Sequence, residues 1–492
     1  MRISIVLILW SVIYTSHVFA DITQTPKRAL LYNSSLIYNK MPQKATTLQE
    51  FFSLSEVYGR IRSNNIYFGY DHEDPKHQSN YALSIGTSFI YKTASLYNID
   101  ATLGIYASQA FFDPDFFGGN IALMKSPKDT FSRYDYIQTG SKTLMSFAQA
   151  NLRYTFPLGS ITIGRQLVDT FYTKSSDSKM VPNSFEGISS ILNTPKNTTL
   201  FFAYLTQQKL KNQENFHAPF MYDDSDIANY SFWNGNDDTA MHKGISYTNL
   251  VANGKKTDAP LLVAQLQTHA TRKFQLRAAS YLIPSLLGQI MGEANYHFAL
   301  TPTTQVIPGI RLVHQFDKGA GIVGGASLKG DVSVNNPAGY THPDSLDGGM
   351  IALRVLIKTD QYKLNLAYTN ILDKADLVTP WRGFVTAGYT RSMGVYNWRA
   401  NTRSYRIEFI KDTNKNGIYV DPFIQTSILY INTDENKNIF EDSIVYYFGI
   451  VQNFPSFPQM QYRIRLGYRD FIGKANFVSN YADTRFELNY LF

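Results

Sequence analysis

The stretch Tyr-Arg-Ile-Arg-Leu-Gly-Tyr-Arg, residues 462–469, carries the signal that decides the fold. Its apolar and aromatic side chains occupy every second position, at Tyr462, Ile464, Leu466 and Tyr468. The positions between them hold Arg463, Arg465, Gly467 and Arg469. A period of two with one apolar face and one charged face predicts a β-strand in a sheet with one apolar side and one solvated side.

The same alternation recurs along the chain, for example in residues 99–105, 351–358, 362–369 and 485–492. Each segment is close to ten residues long. Strands of soluble proteins average about five to six residues, whereas about ten residues cross a bilayer when the strand is tilted by about 45°. The pattern therefore predicts an all-β protein that spans a membrane as a barrel.

The links between these segments alternate between short turns and longer loops. Eight short and nine longer links join 18 predicted strands, which is typical of an antiparallel outer-membrane barrel with short periplasmic turns and long extracellular loops. In lipid the first strand must pair with the last, because unpaired backbone groups are too costly there. The chain also ends on the aromatic Phe492, as bacterial barrels commonly do, and this last strand resembles the signal read by the barrel-assembly machinery.

Composition and the N-terminus agree with this prediction. Of the 492 residues, 14% are aromatic and only 17% are charged, and cysteine is absent, which excludes disulfides and thiolate metal sites. The net charge is +7, without the basic runs of nucleic-acid-binding proteins. Residues 1–20 have the pattern of a secretory signal peptide cleaved near Ala20. We expect a periplasmic segment at residues 21–57 and the barrel at residues 58–492, in the outer membrane of a Gram-negative bacterium, in contact with its lipid and lipopolysaccharide.

Several motifs carry a resemblance to a known family. They are Gly164-Arg165-Gln166, the stretch Lys-Met-Val-Pro-Asn-Ser-Phe-Glu-Gly at 179–187, Asn-Asn-Ile-Tyr-Phe-Gly-Tyr-Asp at 64–71, and Leu-Ala-Tyr-Thr at 366–369 followed by Pro380-Trp381. In order and spacing, these motifs resemble the OprD family of outer-membrane porins, particularly its Hof-like members. The resemblance implies an 18-stranded porin, a monomer or loose trimer, with a narrow channel for passive, substrate-selective diffusion. It also implies a row of arginines along one wall and a third loop that constricts the pore.

The candidate site residues follow from facing and from the resemblance. By alternation, Arg354, Arg406, Arg463, Arg465, Arg469 and Arg485 are expected to face the lumen. Arg165 matches the family's eyelet position, although the parity of Ile161 and Ile163 would turn it outward. The constriction loop is expected to include Lys179, Pro182, Asn183 and Phe185. Guanidinium groups hold carboxylates in two-point contacts, so the expected solutes are small carboxylates: amino acids, peptides and organic acids.

Plainer interpretations stay open. Inward arginines could be structural, paired with Glu408 or Glu487 to satisfy a wet interior. The protein could instead be a surface adhesin or a structural barrel that uses its long loops for binding. No Ser, His and Asp arrangement suggests an enzyme, and the histidines at 72 and 77 lack further ligands, so no catalytic residue, metal or cofactor is expected.

Overall fold

The computed structural model describes residues 28–32, 36–38, 42–75, 77–117, 121–175, 180–194, 198–220, 242–269, 271, 273–381, 383, 385, 388–414, 417–472 and 479–492. The predicted signal peptide at residues 1–20 and the predicted constriction residue Lys179 lie outside the described residues. Among the described residues, no helix is long and apolar enough to cross a membrane.

Eighteen long strands form the wall of the molecule. The first nine are β1 (Glu56–Tyr70), β2 (Asn80–Lys92), β3 (Ile99–Phe111), β4 (Thr143–Phe156), β5 (Gly159–Gln166), β6 (Ser184–Thr194), β7 (Thr198–Lys209), β8 (Leu261–His269) and β9 (Phe274–Ile283). The second nine are β10 (Leu287–Tyr296), β11 (Gln305–Asp317), β12 (Gly348–Lys358), β13 (Tyr362–Ile371), β14 (Arg403–Lys411), β15 (Phe423–Asn432), β16 (Ser443–Phe454), β17 (Phe457–Phe471) and β18 (Tyr481–Leu491).

The wall is a closed antiparallel barrel. Each strand pairs with the next, and β18 pairs with β1 from Tyr481 opposite Tyr70 to Leu491 opposite Arg60. This seam satisfies the backbone groups that an open edge would expose to lipid. The predicted fold, including the number of strands, is confirmed.

The links also match the prediction. Nine links leave one end of the barrel, here called the loop end, and eight leave the other, called the turn end. All links longer than eleven residues are at the loop end, although its link at 284–286 has three residues and the turn-end link at 412–422 has eleven. Four of the longer links matter below: loop 2 (112–142), loop 3 (167–183), loop 4 (210–260) and loop 7 (372–402). The described loop segments include three short α-helices, Arg133–Thr139, Tyr247–Ala252 and Ala320–Gly324.

The outer face of the wall is apolar. Ile85, Leu103 and Leu312 are 50%, 47% and 50% exposed, which is the surface that a bilayer rather than water would cover. Outward tyrosines gather near the loop end on adjacent strands, where Tyr368 lies opposite Tyr405 and Tyr405 opposite Tyr430. Amphipathic rings at this height are typical of the interfacial girdle of a membrane barrel.

The segment before the barrel contains short elements of its own. The wall begins at Glu56, two residues before the expected position 58. A helix, Leu48–Ser53, begins after the N-cap Thr47, and Lys44–Ala45 pairs with Ser95–Leu96 at the turn end. Arg28–Leu30 and Leu36–Tyr38 form an antiparallel hairpin. This hairpin contacts inward-facing side chains of the barrel, so it is not a tail outside it.

Candidate translocation site

Six of the predicted arginines lie on the inner face of the wall. Arg463, Arg465 and Arg485 are only 9%, 7% and 7% exposed, whereas Phe486, on the opposite face of β18, is 39% exposed. On β12 and β14, the exposed Leu353, Val355, Tyr405 and Ile407 flank Arg354 and Arg406 and place both arginines inside. Arg469 shares its face of β17 with Arg463 and Arg465. The alternation in the sequence therefore gave the correct facing at each of these six positions.

Three of these arginines share one hydrogen-bonded row across the sheet. Arg354 lies opposite Ala367, which lies opposite Arg406. The row continues through Leu429 and Val445 to Arg469. Because neighbouring strands are about 4.8 Å apart, the backbones of Arg354 and Arg406 are separated by about 10 Å along the row.

The first concentration of charge lies on β17, β18 and β1. Arg463 and Arg465 share one carboxylate, Glu487: Arg465 forms a direct ion pair with it, and Arg463 Nη1 lies 3.8 Å from Oε2. Arg60 and Arg62 on β1 add two further inward guanidinium groups, 2% and 5% exposed. We call Arg60, Arg62, Arg463, Arg465 and Arg485 the seam cluster, since it lies beside the strand pair that closes the barrel.

Arg485 has partners of its own within the seam cluster. Its Nε donates to Asp483 at 2.7 Å, and its Nη2 donates to the Ser126 hydroxyl of loop 2 at 2.8 Å. Ser126 also donates to Asp483 at 2.6 Å. Loop 2 therefore reaches into the lumen and holds this arginine, which makes its role at least partly structural.

A second concentration lies on β9 to β12. The Glu293 carboxylate, whose side chain has no exposed surface, pairs with Arg311 at 2.6 Å and with Arg277 at 3.1 Å. Arg354 donates to the Asn295 side chain at 2.6 Å. Arg277, Arg311 and Arg354 are called the far-wall cluster below, because about half of the barrel's strands separate them from the seam cluster.

Loop 7 covers the far-wall cluster. Arg311 donates to the Gly388 carbonyl at 3.0 Å. The Tyr389 ring lies 4.7 Å from the Arg311 guanidinium and 4.5 Å from that of Arg354. Burial raises the pKa of Tyr389, so its phenol stays neutral beside these cations. The stacking fixes the planes of both guanidinium groups.

Arg165 corrects a prediction. It lies opposite Ala150 on β4 and shares its face of β5 with Ile161 and Ile163, which are 37% and 55% exposed. Its side chain is 41% exposed and pairs at 3.2 Å with Glu186. Alternation along β5 is unbroken, so Arg165 lies on the outer face and is not part of the lumen.

Loop 3 enters the barrel. Met180 and Val181 are buried against Ile90, Tyr106 and Leu144, which are side chains of the inner wall. Earlier in the loop, Phe171 N donates to Gln265 on β8 at 2.8 Å. Tyr172 packs edge-to-face on Tyr281 of β9, with ring centroids 5.0 Å apart. The loop thus crosses part of the lumen.

The described residues of the predicted constriction are held rigidly. Pro182 O accepts from Lys209 Nζ at 2.9 Å, and Asn183 Oδ1 accepts from Lys211 N at 2.8 Å. Phe185 is 1% exposed and belongs to the apolar cluster formed with β7 to β9. Pro182 therefore holds the end of loop 3 to β7 and Asn183 holds it to loop 4, whereas Phe185 lies on β6, beyond the loop.

Loop 7 joins loop 3 inside the barrel, which sequence reasoning did not foresee. Trp381 is fully buried, packs edge-to-face on Tyr281 at 4.8 Å, and donates from Nε1 to Pro219 O of loop 4 at 2.7 Å. Lys174 N donates to Trp381 O at 2.9 Å. Loops 3, 4 and 7 therefore meet at one residue, and they narrow the lumen together.

No group of three or more His, Cys, Asp or Glu side chains able to hold a metal ion occurs within the described part of the chain. His77 Nδ1 lies 2.9 Å from Asp74 in the exposed loop where the sequence places both.

Solved structures share this architecture. OccAB1 of Acinetobacter baumannii superposes with a TM-score of 0.67 at 12% identity, covering 90% of this chain and 98% of that protein. OccK8 (OprE) of Pseudomonas aeruginosa gives 0.64 at 10% identity, with coverages of 90% and 99%. OpdK of the same organism, solved with vanillate and elsewhere described as an outer membrane protein, gives 0.62 at 10% identity, with coverages of 89% and 98%.

These neighbours are members of the OprD family of outer-membrane porins. The predicted resemblance to that family is therefore confirmed in the fold, which is that of an outer-membrane porin barrel. No family model and no curated protein matches the sequence.

Proposed function

We propose that the protein is an outer-membrane channel for passive diffusion of small carboxylate-bearing solutes. One observation carries the proposal: among the described residues, two inward carboxylates are each shared by two arginines. Arg463 and Arg465 share Glu487, and Arg277 and Arg311 share Glu293. An excess of fixed positive charge inside a narrow lumen raises the local concentration of anions.

The guanidinium groups of these arginines favour carboxylates among the possible anions. Guanidinium groups stay charged at any working pH and offer paired N–H donors to two oxygens. Several weak sites along a path favour throughput over tight binding. A similar barrel was solved with vanillate, which is itself a small aromatic carboxylate. We extend that ligand chemistry to this chain as part of the proposal.

The test is ion selectivity in planar bilayers under a salt gradient. The wild-type barrel should prefer anions, and Arg463→Gln with Arg465→Gln should shift the reversal potential toward cations. Arg165→Gln is the outer-face control, because it removes one guanidinium charge outside the lumen, against two inside it in the double variant. A double variant with unchanged selectivity and a lower unfolding temperature would show that these arginines only stabilise the wall. A wild-type barrel without conductance would favour the adhesin or structural alternative.

A further inference from the structure

The N-terminal hairpin lies within the turn end of the barrel. Ala29 and Leu30 are each 4% exposed, although they precede the first wall strand by about 25 residues. The Leu30 carbonyl accepts from Gln461 Nε2 at 2.8 Å. Gln461 is an inward residue of β17, two positions before Arg463, so the hairpin reaches the wall just below the seam cluster.

A second set of contacts holds the hairpin from another side. The Tyr32 ring stacks on Phe423 of β15, with centroids 4.3 Å apart and planes 13° apart. Phe423 is 2% exposed and faces the lumen. Tyr32 N donates at 3.1 Å to the hydroxyl of Tyr419, in the turn between β14 and β15. The hairpin is thus fixed to β15, to β17 and to a turn at the rim.

The groups around Tyr32 indicate that its side chain lies inside the charged lumen. Burial raises the pKa of Tyr32, and the charged groups near enough to act on it are Glu408, Asp412 and Arg463. Of these, Glu408 and Arg463 belong to the inner wall. A solute that leaves the seam cluster toward the turn end therefore meets the hairpin.

We propose that the described hairpin residues, 28–32 with 36–38, form a gate that closes the turn end of the channel and must move aside for solutes to leave. The described contacts suit reversible release, because the hairpin forms a sheet separate from the wall. It is held by side-chain hydrogen bonds, a ring stack and the apolar packing of Ala29, Leu31 and Tyr32. The wall does not depend on them, since β1 to β18 close without the hairpin. This inference rests on the proposed function only in requiring that the barrel conducts.

A crosslink tests the gate directly, because the chain has no cysteine of its own. A Cβ built on Gly417 would lie 3.3 Å from Ala29 Cβ, close to the roughly 3.5–4.5 Å found in disulfides. Ala29→Cys with Gly417→Cys should therefore crosslink under oxidation and hold the gate shut. Gly417 has φ +80°, so the single variant Gly417→Cys measures the cost of a side chain at that position. Ala29→Cys alone is the second control.

We expect the oxidised double variant to lose most of its conductance and to recover it on reduction. The conductance of each single variant should be the same under oxidising and reducing conditions. Deletion of residues 28–38 should raise mean conductance by about twofold, and Tyr32→Ala should raise the open fraction in the same direction. A crosslinked barrel that conducts as the reduced one does, or a pair that fails to crosslink, would overturn the gate alone. Absence of conductance in every variant, the deletion included, would overturn the proposed function and the gate with it.

Discussion

Glu487→Gln should make the channel more selective for anions. Glu487 is 4% exposed and is the shared partner of Arg463 and Arg465. Glutamine keeps the size of the side chain and one oxygen acceptor, and it removes the negative charge. The substitution therefore removes the carboxylate that Arg463 and Arg465 share and makes the seam cluster one unit more positive, whereas neutralising the arginines makes it less positive.

The size of the effect follows from the geometry. At the 3.8 Å that separates Arg463 Nη1 from Glu487 Oε2, two unit charges interact by about 4 kcal/mol at an effective dielectric constant of about 20. Salt and water in the lumen screen the attraction between Arg463 and a mobile solute more than they screen the attraction between Arg463 and Glu487. If a quarter of the interaction, about 1 kcal/mol, is transferred to a mobile anion, its local occupancy rises about fivefold.

Reversal potentials under a salt gradient measure this change. Glu186→Gln is the matched control, since Glu186 pairs with Arg165 on the outer face and should leave selectivity as it is. Heat resistance of the folded barrel on a gel is recorded in parallel, because loss of one partner from a buried pair costs about 3–5 kcal/mol. A folded Glu487→Gln barrel with the wild-type reversal potential would refute the electrostatic reasoning.

Three further predictions concern the inward loops. Trp381→Ala removes the contact with Tyr281 and the bond to Pro219, so conductance should rise and fluctuate, as single-channel recordings would show; a steady wild-type current would contradict the proposed anchor. Met180→Asp places a charge against the apolar inner wall and should release loop 3, seen as a larger conductance with unchanged heat resistance. Burial lowers the pKa of His217 to about 3. A detached loop 4 therefore takes up the proton more readily, and acid below about pH 6.5 should weaken its docking by about 1.4 kcal/mol per pH unit. Limited proteolysis between pH 7 and 5 would show this slope, and His217→Gln should remove it.

The wall could be predicted from the sequence because its information is local. The face on which a strand residue lies can be predicted from the residues on either side of it, as Leu353 and Val355 predict an inward Arg354. The same test applied to Ile310, Arg311 and Leu312, or to Arg60, Ile61 and Arg62, identifies inward arginines that were not proposed. Arg165 shows the converse: parity was correct there, and the position carried over by resemblance was not.

The contents of the lumen could not be predicted in this way. The contact of Leu30 with Gln461 spans 431 positions, and that of Trp381 with Pro219 spans 162. Alternation along β17 predicts that Gln461 faces inward, but nothing periodic in the sequence identifies Leu30, Trp381 or Pro219, because these three residues lie outside the wall.

The ratio of two guanidinium groups to one carboxylate decides between stability and transport. A wall in which every arginine had its own acid would be neutral, and the lumen would discriminate little between anions and cations. A wall of arginines alone would repel itself and lose stability. Glu487 is shared by Arg463 and Arg465, and Glu293 by Arg277 and Arg311, so each of these acids keeps two cations close. We propose that a mobile anion adds to this balance, and that its passage from one such site to the next is the selective step.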